Sequence, residues 1–335
     1  MKKRFLFLIL LFSNQIFSQS DLQIATLGDF KTIGGGIVKN CKIGYRTIGK
    51  LNADKSNAVL WPTWITGTSD MIKSGIASSI LDTTGLYIII VDAFGNGVSS
   101  SPSNTIDFPR ITIRDMVNSQ HQLLTEHLKI SHLYAVLGIS MGGIQTFEWL
   151  VAYPNFLDKA LPINGTPKQS FYDILNWRTQ EKIIQQAGNK KQGVQIAMQR
   201  VSDMLLMTAY TPAYLVRTQN ADSIDIFLTK KYKKNGDAAR SNAANYLCQL
   251  QAIIQHDVYK SSGKKLADMK DLIKPKVLIA VSLQDHLTNP ESSIEFSKMI
   301  NCRLLELTTD YGHMEVFFEA QKLRDAAIVF LKREN

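Results

Sequence analysis

The 335-residue sequence has little cysteine, and none of it stands at a spacing that binds metal. Cys41, Cys248 and Cys302 are far apart, and their odd number excludes complete pairing within one chain. We therefore expect at most one disulfide, with its partners left open, and we favour free buried thiols. Because no metal-ligand pattern is present, we expect neither metal-dependent catalysis nor a bound cofactor.

The sequence also lacks a run of about 20 apolar residues, which a membrane-spanning helix needs. The apolar run 5–12 is much shorter; it follows the basic residues 2–4 and precedes small residues at Ser18 and Ser20. This order is typical of a signal peptide. We predict that residues 1–20 are cleaved and that the mature protein is exported, periplasmic or extracellular, without a stable membrane span.

Charge is not concentrated in one place either. The formal net charge is +9, and the basic excess is scattered except at Lys230, Lys231, Lys233 and Lys234. That run carries no nucleic-acid motif and is expected to be a solvated helix end, so nucleic acid is not an expected partner.

What the sequence does contain is an alternation of buried strands and helices. Apolar runs predict strands at 58–61, 86–91, 133–137, 159–164, 276–281 and 302–307. Helical segments are predicted at 116–128, 144–153 and 319–331, and the segment 33–60 is strand-like but broken by glycines. Continuous apolar strands joined by helices indicate a mostly parallel central sheet covered by helices on both faces.

Between residues 170 and 270 this alternation stops. The segment has helical periodicity, strongest at 177–186, 194–207 and 238–256, and no convincing buried strand. We predict an α/β core, 21–169 and 271–335, interrupted by an inserted helical lid, 170–270. Trp177, Arg178, Tyr210 and Tyr214 are candidates for a pocket lining in this lid, although packing or surface roles are commoner for such residues.

The strongest chemical signal is the segment 138–143, which reads GISMGG. It follows a buried strand directly and precedes a helix, which is the context of a nucleophile elbow. A serine on such a tight turn exposes its hydroxyl, and the helix N-terminus favours developing negative charge. Ser140 is therefore the candidate nucleophile; a phosphate-binding loop is disfavoured because its glycine spacing is absent.

A serine nucleophile needs a histidine base and an orienting carboxylate, in the chain order Ser, acid, His on this type of fold. Asp285 follows the strand predicted at 276–281, and His313 lies between the last strand and the last helix. Asp310 is the alternative acid. The remaining histidines fit this order less well: His121, His127, His132, His256 and His286.

The oxyanion of an acyl-transfer reaction needs two N–H donors. Met141, directly after the nucleophile, is the expected first donor. The second is expected in the loop 63–67, which reads TWITG, and Ile65 is favoured within one residue.

Several further motifs occur in one order along the chain: GYRT at 44–47, GNGVSSSP at 95–102, FPR at 108–110, IRDMV at 113–117, the elbow, and Gly312-His313. This series resembles the homoserine O-acetyltransferase-like branch of the α/β-hydrolase superfamily. The resemblance covers nearly all of the predicted mature chain. It implies an α/β-hydrolase fold, a helical lid in the insertion, and a triad of Ser140, Asp285 and His313.

Two departures from that branch concern substrate handling. Members that acetylate homoserine usually carry HALTG where this chain reads TWITG at 63–67, and Asp where Met314 follows the histidine. Predicted export also separates the protein from cytoplasmic acetyl-CoA. We therefore expect hydrolysis of a small acyl ester through acyl-Ser140. The alternative is O-acyl transfer from acetyl-CoA to an alcohol, and a homodimer is left open.

Overall fold

The computed structural model describes residues 22–188, 190–236, 242–265 and 268–332, so the predicted signal peptide lies outside the described residues. One eight-stranded sheet, in the order β1-β2-β4-β3-β5-β6-β7-β8, organises these residues. Its strands are β1 Gln23–Lys31, β2 Ile37–Ile48, β3 Ala58–Pro62, β4 Tyr87–Val91, β5 Leu133–Ile139, β6 Leu157–Ile163, β7 Lys276–Ser282 and β8 Arg303–Leu307.

The sheet is mostly parallel, as predicted. β1 and β2 pair antiparallel with each other, and β2 pairs antiparallel with β4, whereas the other neighbours are parallel. Sequence reasoning missed β1 because most of its side chains are exposed and only two are fully buried. Such an edge strand produces no continuous apolar run.

Side chains of the central strands alternate between two cores, one on each face. Leu60 and Val136 belong to the larger core, and their chain neighbours Val59 and Leu137 belong to the smaller one. Both faces therefore need helices to exclude water, which explains the unbroken apolar strands. The mostly parallel sheet with a core on each face confirms the predicted α/β architecture.

Helices of the sheet's own layers cover these cores. α1 Ser69–Met71, the π-helical stretch Ile72–Ile76 and α2 Ala77–Ile80 follow β3, and α3 Ile113–Gln122 continues as a π-helical turn, Leu123–His127. The others are α4 Met141–Ala152, α12 Glu291–Ile300, the 3₁₀ turn Gly312–Met314, α13 Glu315–Phe318 and α14 Ala320–Leu331.

Between β6 and β7 the described residues form helices and no strand. They are α5 Phe171–Gln186, α6 Lys191–Ala209, α7 Pro212–Thr218, the 3₁₀ turn Ala221–Ser223, α8 Ile224–Gly236, α9 Ala243–Ile254, α10 Val258–Ser262 and α11 Met269–Leu272. We call this segment the helical insertion. α9 begins at Ala243 because the Asn242 side chain accepts the Ala244 amide and caps it. Residues 238–241 of the helix predicted at 238–256 lie outside the described residues.

The helical insertion is not separate from the core. Tyr246, Leu250 and Ile253 of α9 are buried in the larger core cluster. No helix among the described residues is long and apolar enough to cross a membrane. The three cysteines are free thiols, and burial raises the pKa of each to about 12.

Candidate active site

Ser140 lies on the turn between β5 and α4, with φ +57° and ψ −121°. A side chain in this region of backbone space is strained, at a typical cost of about 1–3 kcal/mol. Two hydrogen bonds of 2.9 Å hold the turn: the Ser140 amide donates to Ile163 O of β6, and Ser140 O accepts from the Ile144 amide. Such strain persists only where the surrounding structure holds it, and it is typical of functional positions.

The glycines of the elbow are needed for close packing. A Cβ on Gly142 would stand 2.5 Å from Pro62 O of β3, and one on Gly143 would stand 2.7 Å from Ile163 O of β6. Backbone on both sides cannot give way cheaply. The elbow is therefore wedged between the two strands that flank β5, which fixes the position of Ser140.

Asp285 and His313 form a buried pair at the same edge of the sheet. His313 Nδ1 lies 2.6 Å from Asp285 Oδ2, and the residues are 6% and 4% exposed. Asp285 Oδ1 accepts from the amides of Leu287 and Thr288 at 2.8 and 2.9 Å. The carboxylate is thus stabilised by two amides while it orients the imidazole, which leaves Nε2 of His313 for chemistry.

Asp310, the alternative acid, lies elsewhere. Both of its carboxylate oxygens are 2.7 Å from Arg217 Nη2 of α7, and its carbonyl accepts from Thr211 Oγ1. Asp310 therefore connects the loop of His313 to the helical insertion, whereas Asp285 accepts the hydrogen bond from the imidazole.

Three of the other histidines have structural contacts. His132 pairs with Asp158 at 2.8 Å at the amino edge of the parallel strands, opposite the elbow. His121 stacks on Tyr153 at 4.0 Å between ring centroids. His256 is buried, with Nδ1 3.5 Å from Glu148 Oε2, and burial lowers its pKa.

Asn164, directly after β6, joins the elbow to the histidine loop. Its Nδ2 donates to Ser282 Oγ at 3.0 Å and to His313 O at 3.1 Å, and its Oδ1 accepts from the Ser282 amide at 2.9 Å. Its neighbour Ile163 accepts from Ser140. Asn164 thereby brings Ser140 and His313 to one edge. Sequence reasoning missed this role; an amide residue at the end of a buried strand was the available signal.

Among the described residues, Ser140 forms hydrogen bonds through its backbone only. Its hydroxyl is therefore not committed to a structural partner. Hydrogen bonds between a nucleophile and its base often form only when substrate is bound, so an uncommitted hydroxyl is compatible with a nucleophilic role.

The two predicted oxyanion donors both have free amides. Met141 is the first residue of α4, where the N–H lacks a helical acceptor. Ile65 lies in the turn from Trp64 to Gly67, closed by a 2.9 Å hydrogen bond from the Gly67 amide to Trp64 O. The Ile65 amide forms no hydrogen bond with another described residue. Two N–H groups at the carboxyl edge can therefore receive a developing oxyanion.

The buried carboxylate of Asp92 is linked to that turn through Asn96. Asp92 accepts from the Ser69 amide at 2.8 Å, from Ser69 Oγ at 2.6 Å and from Asn96 Nδ2 at 2.8 Å. Asn96 Nδ2 also donates to Gly67 O at 3.0 Å. Burial raises the pKa of Asp92, and the hydrogen bonds from Ser69 act in the opposite direction.

The helical insertion also contacts the loop that follows Asp285. Asp173 of α5 is fully buried and accepts from the Asn289 amide at 2.9 Å. Burial, together with the charge of nearby Asp285, raises its pKa.

The candidate lid residues have other partners. Trp177 is buried and donates to Gln169, and Arg178 forms an ion pair with Glu181 on its own helix. Tyr210 stacks on Tyr214 at 4.9 Å between ring centroids. Trp177 therefore has a packing role and Arg178 a surface role.

The chain is similar to known hydrolases in sequence. Residues 65–320 match the family described as alpha/beta hydrolase fold. An ethyl acetate hydrolase of Pseudomonas veronii is 30% identical over 88% of this chain and 90% of that protein. A probable esterase of Corynebacterium glutamicum is 38% identical over about half of each chain, 50% in both cases.

Acetyltransferases match over a similar length. A homoserine O-acetyltransferase of Trichormus variabilis is 29% identical over 90% of this chain and 91% of that protein. Among solved structures, the acetyl esterase MekB superposes with a TM-score of 0.80 at 28% identity, over 93% of this chain and 97% of that one.

Proposed function

The chain belongs to the alpha/beta hydrolase fold family, in the branch that holds both esterases and homoserine O-acetyltransferases, and on that premise we propose that it hydrolyses a small acyl ester through an acyl intermediate on Ser140. The buried Asp285–His313 pair, held to the elbow through Asn164, carries this proposal. The small acyl group is favoured because two similar proteins act on ethyl acetate and on acetyl esters, as their names state.

The reaction has two steps. His313 Nε2 accepts the Ser140 proton as Oγ attacks the acyl carbon, and the tetrahedral oxyanion lies against the N–H groups of Met141 and Ile65. Collapse of this intermediate breaks the ester C–O bond, and His313 returns the proton to the leaving alcohol. Water then attacks the acyl-enzyme with His313 again as base, which releases the acid and restores Ser140.

Ester hydrolysis is tested with p-nitrophenyl esters of increasing acyl length. We expect release of p-nitrophenol by the wild type and a loss of about 10⁶-fold in kcat for Ser140→Ala. A wild type no faster than Ser140→Ala on the whole panel contradicts the proposal. A fluorophosphonate that fails to label Ser140 as well would indicate a non-catalytic binding protein instead.

Two histidine–carboxylate pairs provide a matched control. His313→Gln removes the buried pair at the carboxyl edge, and His132→Gln removes the exposed pair with Asp158 at the amino edge. We expect the first variant to be inactive and the second to hydrolyse like the wild type. Equal losses would mean that the choice of base is wrong.

Acyl transfer is the second candidate, supported by the similarity to homoserine O-acetyltransferases over nearly the whole chain. In this reaction acetyl-CoA would be the acyl donor and an alcohol would replace water in the second step. Met314 and the TWITG loop at 63–67 favour hydrolysis over this alternative. Thiol release from acetyl-CoA that depends on homoserine or another alcohol would reverse the preference.

Export is a further part of the proposal, supported by the basic and apolar order of residues 2–12. Fractionation of cells that express the full chain tests it. We expect the protein outside the cytoplasm and shortened near residue 20; a full-length cytoplasmic protein would contradict export.

A further inference from the structure

Gln249 of the helical insertion bonds directly to the loop that carries the second oxyanion donor. Its side chain lies in α9 and is fully buried. Gln249 Oε1 accepts the Thr66 amide at 2.8 Å, and Nε2 donates to Phe94 O at 2.8 Å. Both ends of one side-chain amide are thus committed to backbone groups of the core.

The Thr66 amide belongs to a turn whose conformation is unfavourable for its sequence. The turn runs from Trp64 to Gly67; Ile65 has a negative φ and Thr66 has φ +59°. This combination is that of a type II turn, in which the third residue is normally Gly or Asn. A β-branched threonine there is strained, so local preference favours reversal of the 65–66 peptide toward a type I turn.

Gln249 opposes this reversal. In the present orientation the Thr66 N–H points to Gln249 Oε1. Reversal of the peptide would replace this N–H by the carbonyl of Ile65 and bring two oxygen atoms together. The side-chain amide cannot turn over to compensate, because its NH₂ is held by Phe94 O.

α9 is itself held in place against the core. Asn245, one turn before Gln249, accepts from the Ser103 amide at 3.0 Å and donates to Ser103 Oγ at 2.8 Å. A Cβ on Gly95 would stand 3.0 Å from Gln249 Cγ, so the helix approaches this loop as closely as glycine permits. The position of Gln249 is therefore determined independently of Thr66.

We propose that Gln249 is a positioning residue for the oxyanion hole: by accepting the Thr66 amide it fixes the 64–67 turn, and with it the backbone that carries the Ile65 amide. The helical insertion then contributes to transition-state stabilisation. This inference rests on the proposed function, because it assigns the same site a further residue.

Gln249→Leu tests the inference, with Gln251→Leu as the matched control. Gln251 lies in the same helix and donates to Glu181 of α5, away from the turn. With p-nitrophenyl acetate we expect Gln249→Leu to lower kcat by about 10- to 100-fold, somewhat less than removal of an oxyanion donor, with KM nearly unchanged. Gln251→Leu should leave both constants unchanged. An unchanged kcat in Gln249→Leu, or an equal loss in Gln251→Leu, overturns the proposal.

Thr66→Gly separates positioning from general damage to the fold. Glycine favours the third position of a type II turn, so Gln249→Leu should lower kcat by a smaller factor in a Thr66→Gly background than in the wild type. A simple packing defect would cost the same factor in both backgrounds, and that result would overturn the proposal.

Hydrogen exchange provides a readout that does not need activity. The Thr66 amide should exchange faster in Gln249→Leu than in the wild type and in Gln251→Leu. If the wild type hydrolysed no ester, the proposed function would fail while the exchange measurement would still test the turn. If exchange were equal in the three proteins, Gln249 would not hold the turn.

Discussion

Asp285→Asn tests the acid of the proposed triad most sharply, because the two oxygens of this carboxylate have different partners. Oδ1 accepts from the Leu287 and Thr288 amides, and Oδ2 faces His313 Nδ1 at 2.6 Å. An asparagine of the same shape keeps its carbonyl oxygen on the two amides, since its NH₂ would face two donors there. The NH₂ must then point at His313.

The Asp285→Asn substitution therefore reverses the tautomer of His313. With an NH₂ in front of it, Nδ1 becomes the accepting nitrogen and the proton moves to Nε2, which can no longer accept the Ser140 proton. We expect kcat to fall by about 10⁴-fold, equivalent to about 5.5 kcal/mol of transition-state stabilisation. The free energy of unfolding should change little, because the bonds from Leu287 and Thr288 are kept.

Initial rates of p-nitrophenyl acetate hydrolysis measure the effect, with Asp310→Asn as the control. Asp310 is the other acid considered from the sequence, and its ion pair with Arg217 is exposed. We expect Asp310→Asn to lower kcat by no more than about fivefold, since such pairs contribute at most about 1 kcal/mol. The expected loss of kcat is about 10⁴-fold, so an Asp285→Asn rate within about tenfold of the wild type would refute the reasoning. An equal loss of kcat in Asp310→Asn would refute it as well.

Three further predictions concern the fold. Gly142→Ala would place a Cβ 2.5 Å from Pro62 O and should destabilise the protein by about 1–3 kcal/mol in urea unfolding; a loss below about 0.5 kcal/mol contradicts the close approach. Burial lowers the pKa of His256 although Glu148 acts to raise it, so the unfolded chain takes up the proton first. The free energy of unfolding should therefore fall as pH drops below about 6.5. Between pH ~7.5 and ~5.5 the His256→Gln variant should lose less of it than the wild type. Equal losses in the two proteins would exclude His256 as the cause of the pH dependence. The three cysteines, with pKa raised to about 12, should resist iodoacetamide at about pH 8 until the protein is unfolded, and fast alkylation of the native protein would contradict their burial.

Local patterns were sufficient for the central sheet and the elbow. β3, β4 and β5 are apolar throughout because both faces of the sheet are covered, and the predicted positions of β3 to β7 agree with the structure within two residues. The prediction of α4 began at Ile144, three residues late, because the glycines after Ser140 conceal the start of the helix. Most side chains of β1 are exposed, and the strand was missed because it has no apolar run.

The sequence by itself determined the apolar strands of the parallel sheet and the tight turn at Ser140, because each is encoded by residues close together along the chain. Only the tertiary structure decided that Asp285 rather than Asp310 pairs with His313, that Asn164 bonds to the histidine loop, and that Gln249 bonds to the 64–67 turn. The Gln249–Thr66 hydrogen bond joins residues 183 positions apart, and neither neighbourhood carries a sign of the other. Such contacts depend on where the helical insertion packs against the core, and no local periodicity encodes that position.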